Sequence, residues 1–493
     1  MKLVKLLLVL VYATYHVAGS TEGFRGDLAA IGPGAVFPGD ATYDQVTGAY
    51  NKRLTIRPAA VTFPSTPQQV AKIVKVGGKY NHQLVARSGG HSYVANGLGG
   101  KNGLVIVDLR NMTHIDVSSS SGIATIQTGN RLGDVALALN QKGRGIPHGS
   151  CPYVGIGVHG GWGFASRMWG LTLDTIQAID VVTADGTIET ISNSNKADLF
   201  WAMRGAGSSF GIATAITVKS YPVPTTTISY TYNWNLKASD AAKAISESQK
   251  FSQTNIPKEL SLELTFGKGN SAGFVHLTLS GGWYGPINEL NSVLAPYLTK
   301  LPKPDWSDRK VGSYIDVLSY QGGSGTLDVH HKPDATDTFY VKSLMTPEAS
   351  PISDKALNAF TTYMAYQGFS SNLNWFVQME LYGGKNSVLN SVPVDATAFA
   401  RRNALWTFQF YASSPNYNPP FPSSGFSFLD NMVNSITSNS PSNWDIGAYT
   451  NYIDDRLSNW QHMYYGSHYQ RLKSIKRIYD PRNTFSFPQS IEL

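Results

Sequence analysis

The sequence predicts an α+β fold built in two parts, and three observations predict it. From about residue 56 to 221, short apolar strands alternate with helical segments and end in glycine-rich or charged loops. From about residue 225 to 409 the apolar period drops to two, the mark of an antiparallel sheet with one packed face and one polar-aromatic face. From residue 464 the spacing turns helical again before a short tail.

In the first stretch, Thr66-Pro67 supplies a cap residue and then proline at the first helical position, with Val70, Ile73 and Val74 as the apolar stripe. Residues 84–86 and 104–107 read as buried strands. The first ends in Arg87-Ser88-Gly89-Gly90-His91-Ser92-Tyr93 and the second in Asp108-Leu109-Arg110. Residues 178–182 with Asp185-Gly186 read as a hairpin. Loops of this kind at strand ends hold phosphate-bearing cofactors through backbone N–H groups.

In the second stretch, residues 261–266 are polar at odd positions and apolar at even ones. Across residues 374–382, Asn374, Phe376, Gln378, Glu380 and Tyr382 share one face, and Trp375, Val377, Met379 and Leu381 the other. Gln409 and Tyr411 likewise oppose Trp406, Phe408 and Phe410. Helical segments at 241–251 and 353–366 are expected to cover the packed face. The polar face gathers Gln, Glu and Tyr with few Lys or Thr, so a ligand competes with solvent as what it meets. The last helix is read on Leu472, Ile475 and Ile478 and closed by Asp480-Pro481.

The first twenty residues read as a signal peptide: Lys2 and Lys5, a short apolar run, then Ala18-Gly19-Ser20. That run is too short to span a bilayer, and no later stretch of about 18 apolar residues follows, so a secreted chain outside the membrane is expected. Asn111-Met112-Thr113 is a glycosylation sequon. The remaining roughly 470 residues exceed one usual core. The expected division is 1–20 signal peptide, 21–222 cofactor domain, 223–450 substrate domain with the antiparallel sheet, and 451–493 a segment returning to the first domain. The 40 Lys and Arg against 33 Asp and Glu give a net charge of +7. They are scattered, without the basic runs of a nucleic-acid binder. A monomer is expected. Aromatic residues make up 12% of the chain, with 26 Tyr and 10 Trp, enough for stacking surfaces as well as a core.

Cys151 is the only cysteine, in Pro147-His148-Gly149-Ser150-Cys151-Pro152-Tyr153-Val154-Gly155-Ile156-Gly157. Secreted proteins use cysteines in pairs, and a sole cysteine cannot form a disulfide within its own chain. Buried filler, an intermolecular link and sulfur chemistry all stay open for it. His91, in a Gly-Gly-His turn, is open between a structural and a functional role. No Cys, His and carboxylate set has metal-ligand spacing, so no metal site is expected. A nucleophile elbow, a Walker loop and a complete GxGxxG are missing as well.

The run Ala86-Arg87-Ser88-Gly89-Gly90-His91-Ser92-Tyr93, then His148-Gly149-Ser150-Cys151-Pro152 and Gly170-Leu171-Thr172-Leu173-Asp174, resembles the vanillyl-alcohol-oxidase type of flavoprotein. Asp198-Leu199-Phe200-Trp201-Ala202-Met203-Arg204-Gly205 extends the match, and Tyr479-Asp480-Pro481-Arg482-Asn483-Thr484-Phe485 resembles the berberine-bridge-type ending. Within that family, residues 378–387 and 405–411 are most similar to gluco-oligosaccharide and chito-oligosaccharide oxidases. The resemblance implies a two-part FAD-binding domain and FAD attached twice, through its 8α-methyl to His91 and through C6 to Cys151. Imidazole and thiolate are competent nucleophiles for that. It also implies cofactor contacts from Arg87, Ser88, Gly89, Gly90, Ser92, Gly155, Gly157, Gly161, Gly163 and Asn483.

For catalysis the resemblance implies Tyr452 as the base for a sugar hydroxyl, with Glu380 where relatives usually carry Asp. A phenol titrating near 10 needs such a proton acceptor beside it. Glu380 also falls on the polar sheet face read from the alternation. Tyr93, Gln378, Gln409 and Tyr449 match positions that line the sugar site in the relatives, and Glu263, Thr265 and Phe376 are expected substrate contacts beside them. Two departures stand out: Thr265 where gluco-oligosaccharide oxidases are acidic, with Glu263 two residues earlier, and a glycine loop after Cys151 about three residues shorter. The implied activity is oxidation of the reducing-end C1 hydroxyl of an oligosaccharide to a lactone, with dioxygen going to hydrogen peroxide. A dehydrogenase using another electron acceptor and an oxidase of a secondary metabolite stay open, though Gln378 and Gln409 suit a sugar better than an apolar polycycle. A non-enzymatic binder would need neither Tyr452 nor Glu380.

Overall fold

The computed structural model describes residues 21–32, 34–323, 325–330 and 335–493. The signal-peptide reading therefore falls outside the described residues. Strands β1 (Ala35–Val36), β2 (Ala60–Thr62), β3 (Leu84–Arg87) and β4 (Val105–Asp108) form a sheet in the order β1-β2-β4-β3, with β2 and β3 parallel to β4. Helix α1 (Pro67–Lys79) joins β2 to β3. Thr66 caps it by accepting the N–H of Gln69 at 3.3 Å, and Val70, Ile73 and Val74 are buried against the sheet. Register sets Arg87 opposite Asp108 at the ends of β3 and β4.

A second sheet has the order β5-β6-β10-β8-β9, from β5 (Ile115–Val117), β6 (Ile123–Gln127), β8 (Ile176–Val182), β9 (Ile188–Ser192) and β10 (Ile212–Lys219). The strands β8 and β9 are the hairpin read from Asp185-Gly186. A short pair, β7 (Arg144–Gly145) with β11 (Tyr221–Pro222), lies beside it.

The third sheet holds β12 (Thr227–Lys237), β13 (Glu263–Lys268), β14 (Phe274–Trp283), β15 (Trp306–Gly312), β16 (Phe339–Pro347), β17 (Asn374–Leu381) and β18 (Ala404–Ser413). They run antiparallel in the order β15-β12-β14-β13-β17-β18-β16. Helices α2 (Ala238–Ser252), α3 (Asp354–Tyr363) and α4 (Ser424–Thr437) cover one face, where Val377, Met379, Phe408 and Phe410 pack with Ile245, Phe360 and Leu429. Each such buried side chain is worth about 1.5–3 kcal/mol, which fixes which face turns inward. The other face carries three rows across β14, β13, β17, β18 and β16. The first is Ser280, Glu263, Glu380, Thr407 and Met345; the second is Thr278, Thr265, Gln378, Gln409 and Ser343; the third is His276, Gly267, Phe376, Tyr411 and Val341.

Two clamps hold the parts together. The guanidinium of Arg167, 1% exposed, donates to the carbonyls of Pro257 (3.0 Å), Leu260 (2.5 Å), Gly383 (3.2 Å) and Lys385 (2.9 Å) beside the large sheet. At the C-terminus, helix α5 (Tyr469–Tyr479) returns to the first part. Its buried Lys476 donates to Ser209 O (2.6 Å), Phe485 O (3.0 Å) and Asp480 Oδ2 (2.7 Å). Leu472 and Ile475 are buried there as expected, but Ile478 is 67% exposed. Steps of three residues turn about 300°, so each drifts roughly 60° off a straight stripe, and the third has left the packed face. Among the described residues no helix is long and apolar enough to cross a membrane, and no cluster of three His, Cys, Asp or Glu could hold a metal.

Candidate active site

A cleft of about 500 Å³ runs between the glycine loops of the first part and the polar face of the large sheet. Its floor is residues 85–93 at the end of β3 and beyond it, residues 149–151 and 154–162, and residues 207–209 and 211 before β10. The two glycine loops are pressed together: a Cβ on Gly89 would stand 2.3 Å from Gly155 N, and one on Gly155 would stand 2.1 Å from Ser88 Oγ. Only glycine allows that approach. A Cβ on Gly157 would meet no atom within 4 Å, so this glycine borders open cleft. His91 and Cys151 both line this floor, and the imidazole of His91 stacks on Tyr50 with ring centroids 4.2 Å apart.

The glycine loop after Cys151 is pinned at several points. Gly205 N donates to Val158 O at 2.7 Å, Thr172 N to Gly161 O at 3.0 Å and Leu173 N to Gly160 O at 3.1 Å. The hydroxyl of Tyr449 accepts the N–H groups of Gly161 (2.9 Å) and Trp162 (3.2 Å) and the amide of Asn451 (2.8 Å). Tyr449 therefore lines the cleft with its hydroxyl spent on the loop, and Tyr449 N is held by Ser343 Oγ at 3.0 Å on the sheet.

At the sheet end the hydroxyl of Tyr452 donates a very short hydrogen bond to Glu380 Oε1. Burial holds the phenol well above its ordinary range, and the neighbouring Glu380 charge adds to this. Burial likewise pushes Glu380 well above the carboxylate range; the Glu263 carboxyl adds to the rise and the bond from Tyr452 opposes it. The ring of Tyr93 lies parallel to that of Tyr452, 4° apart in tilt and 6.1 Å between centroids, and its hydroxyl accepts Gln409 Nε2 at 2.7 Å. Gln378 and Gln409 line the same end, with Gln378 Nε2 reaching Glu263 Oε1 at 3.3 Å.

The other residues expected at the site divide between the cleft lining and places away from it. Arg87 lines the floor, with its guanidinium turned to Asp108 (2.6 Å) and to Val46 O (2.7 Å) in an internal ion pair. Ser88, Gly90 and Ser92 line the cleft, and Ser92 Oγ accepts Asn96 N at 3.0 Å. Gly161 lines it too, whereas Gly163 packs against the carbonyl of His148, away from the wall. Asn483 lies in a separate polar cavity with Lys79, His82 and Lys101, in a left-handed turn at φ +56°. Phe376 is one row beyond the cleft wall, stacked on Tyr411 at 4.7 Å, and Glu263 and Thr265 lie behind Gln378. Sequence reasoning passed over His159, Ser208 and Gln489, which line the cleft. Burial pushes His159 down to about 4, so it is a neutral ring, and its Nε2 accepts Ser208 N at 3.4 Å. The glycines around His159 were the only signal for it.

Residues 58–192 match the model of an FAD binding domain, and residues 448–492 match the berberine and berberine-like model. The carbohydrate oxidase of Microdochium nivale is 35% identical over 99% of this chain and 98% of its own. The chain belongs to the berberine-bridge-type FAD-linked oxidoreductases. The glucooligosaccharide oxidase of Sarocladium strictum is 34% identical over 91% of this chain and 90% of its own. A solved chitooligosaccharide oxidase superposes with a TM-score of 0.89 at 31% identity, covering 95% of this chain and 99% of that one. A solved glucooligosaccharide oxidase from Acremonium strictum, described with 6-S-cysteinyl, 8α-N1-histidyl FAD, gives 0.88 at 31% identity over 95% and 99%. The cofactor of this flavoenzyme is FAD, and the cleft fits it: a backbone-lined cradle with an imidazole and a thiol on one floor, opening on a hydrogen-bonded acid and phenol.

Proposed function

We propose that this flavoenzyme is a secreted oligosaccharide oxidase that converts the reducing-end C1 hydroxyl to a lactone, with dioxygen reduced to hydrogen peroxide. The observation that carries the reading is the Tyr452–Glu380 pair facing Gln378 and Gln409 at one end of a cleft floored by His91 and Cys151. FAD, when bound, supplies the acceptor for the hydride that leaves C1. His91 and Cys151 hold it as two covalent tethers, and Ser88, Gly89, Gly155 and Gly157 bring backbone against it. Tyr452 takes the proton of the C1 hydroxyl while its own phenol proton passes to the ionised Glu380 carboxylate, so the negative charge moves from the carboxylate to the sugar oxygen as the hydride leaves. Gln409, held by Tyr93, and Gln378, held by Glu263, present amides of fixed orientation to neighbouring sugar hydroxyls.

The test is a panel of reducing oligosaccharides mixed with the enzyme without oxygen, with bleaching of the flavin as the readout, followed by admission of oxygen with a peroxide assay. Bleaching by sugars and peroxide on reoxidation are expected. Bleaching only by apolar alcohols, or reoxidation by quinones but not by oxygen, would remove the substrate or the acceptor from the reading. Acid precipitation should leave the yellow colour on the protein, and replacing His91 or Cys151 singly should leave one tether.

A further inference from the structure

Glu263 and Glu380 are direct cross-strand partners on β13 and β17, both on the cleft face of the sheet and both buried, at 7% and 3% exposure. Side chains so placed have Cβ atoms about 4.5–5.5 Å apart. Glu263 Oε1 accepts from Thr265 Oγ1 at 3.0 Å and from Gln378 Nε2 at 3.3 Å. Glu380 Oε1 accepts from Tyr452, and its Oε2 is buried without a partner. On the flanking strands Ser280 stands beside Glu263 and Thr407 beside Glu380. The titratable groups facing the pair are Tyr452, Tyr93, Tyr449 and Tyr382, with His276 two rows along β14; among the described residues no lysine or arginine offsets either carboxyl.

Two ionised carboxylates directly opposite each other, buried and without a cation, repel strongly, and such pairs hold one proton between them. We propose that Glu263 is a positioning residue for proton transfer: it shares one proton with Glu380 and so sets the pH at which Glu380 is free to take the phenol proton of Tyr452. The inference rests on the reading of Tyr452 and Glu380 as the proton-accepting pair. Transfer of the C1 hydroxyl proton to Tyr452 and of the phenol proton to Glu380 requires Glu380 to be ionised at the start. With the shared proton on Glu263, that condition is met; with it on Glu380, the path is blocked. The side chain that keeps the Gln378 amide oriented is thus also the one that receives the blocking proton. Burial raises both carboxyls, in keeping with a retained proton.

The experiment is the pH dependence of sugar-driven flavin reduction in the holoenzyme and its Glu263→Gln variant. The same samples are followed through the infrared carbonyl stretch of protonated carboxylic acids. Glutamine keeps the acceptor for Thr265 and Gln378 but removes the charge. The acid limb should move to lower pH by roughly one to two units, and the protonated-carboxyl band should vanish at the shifted pH. An acid limb that stays in place, or moves upward, overturns the proposal. Should the variant fold poorly, the wild-type enzyme alone decides: a protonated-carboxyl band titrating with the acid limb supports the shared proton, and a band absent throughout that range overturns it. Undiminished reduction by Tyr452→Phe would instead overturn the assignment of the base, leaving the infrared result to judge the carboxyl pair by itself.

Discussion

Asp108 and Glu380 are buried alike, at 1% and 3% exposure, yet the protein treats the two carboxyls in opposite ways. Asp108 sits between the guanidinia of Arg87 and Arg110, accepting at 2.6 Å from the first and at 3.0 and 2.8 Å from the second. Burial opposes its charge, but the bonds and charges of Arg110 and Arg87 win, and its carboxyl is held below the ordinary range. Glu380 has a phenol, a second carboxyl opposite and no cation, and is held well above that range. The first arrangement fixes a charge permanently and joins two strand ends. The second leaves a carboxyl whose charge can change, as a proton acceptor requires.

The largest expected effects test that contrast directly. Asp108→Asn leaves Arg87 buried without its ion-pair partner and should remove about 3–5 kcal/mol of stability in urea unfolding. Glu380→Gln should stay within about 1 kcal/mol of wild type, because no charge pair is broken. Equal losses from both variants would erase the distinction. Tyr452→Phe should slow sugar-driven flavin reduction by about 10²–10⁴-fold while the protein stays yellow, as expected for a lost proton acceptor. Glu380→Gln should move the activity profile to higher pH, since the phenol would then have to ionise unaided from a value already raised by burial. An unshifted profile in stopped-flow reduction would take Glu380 out of the proton path.

The pH dependence of stability should carry opposite signs at the two sites. The depressed Asp108 contributes stability above its unfolded value near 3.9 and loses it as pH falls through the folded value. The raised Glu380 binds its proton more tightly in the fold, so its contribution is full below about 4.3 and declines as pH rises toward the folded value. Unfolding curves at several pH values should therefore show Asp108→Asn flattening the acid loss and Glu380→Gln flattening the decline above it. The smallest effect belongs to Thr265→Val, which removes one of the two bonds to Glu263. It should move the acid limb of flavin reduction the same way as Glu263→Gln, by less than half as much.

Much of this was legible in the chain. The alternation in residues 374–381 placed Glu380 and Gln378 on the polar face, because a strand has only two faces and burial of Val377 and Met379 settles which is which. Arg87 was harder. Its neighbour Asp108 is 21 residues away, and only the parallel register of β3 and β4 brings them together. Asn483 adjoins a motif that does return to the first part, but the left-handed turn at its position aims it at another cavity. No local pattern announces such a turn. The duty of Tyr449 was hidden for the same reason: its hydroxyl meets Gly161, 288 residues earlier.

The rows across the large sheet have an evolutionary consequence. The carboxyls of Glu263 and Glu380 occupy one row; the amides of Gln378 and Gln409 occupy the next, and the aromatics Phe376 and Tyr411 the third. The first two rows are bonded through Glu263 to Thr265 and Gln378, whereas Phe376 and Tyr411 stack on each other in the third, so mutation can rewrite the third row with less disturbance to the first. Substrate range is then free to diversify through the outermost row among descendants of such a sheet, while the two bonded rows are inherited together.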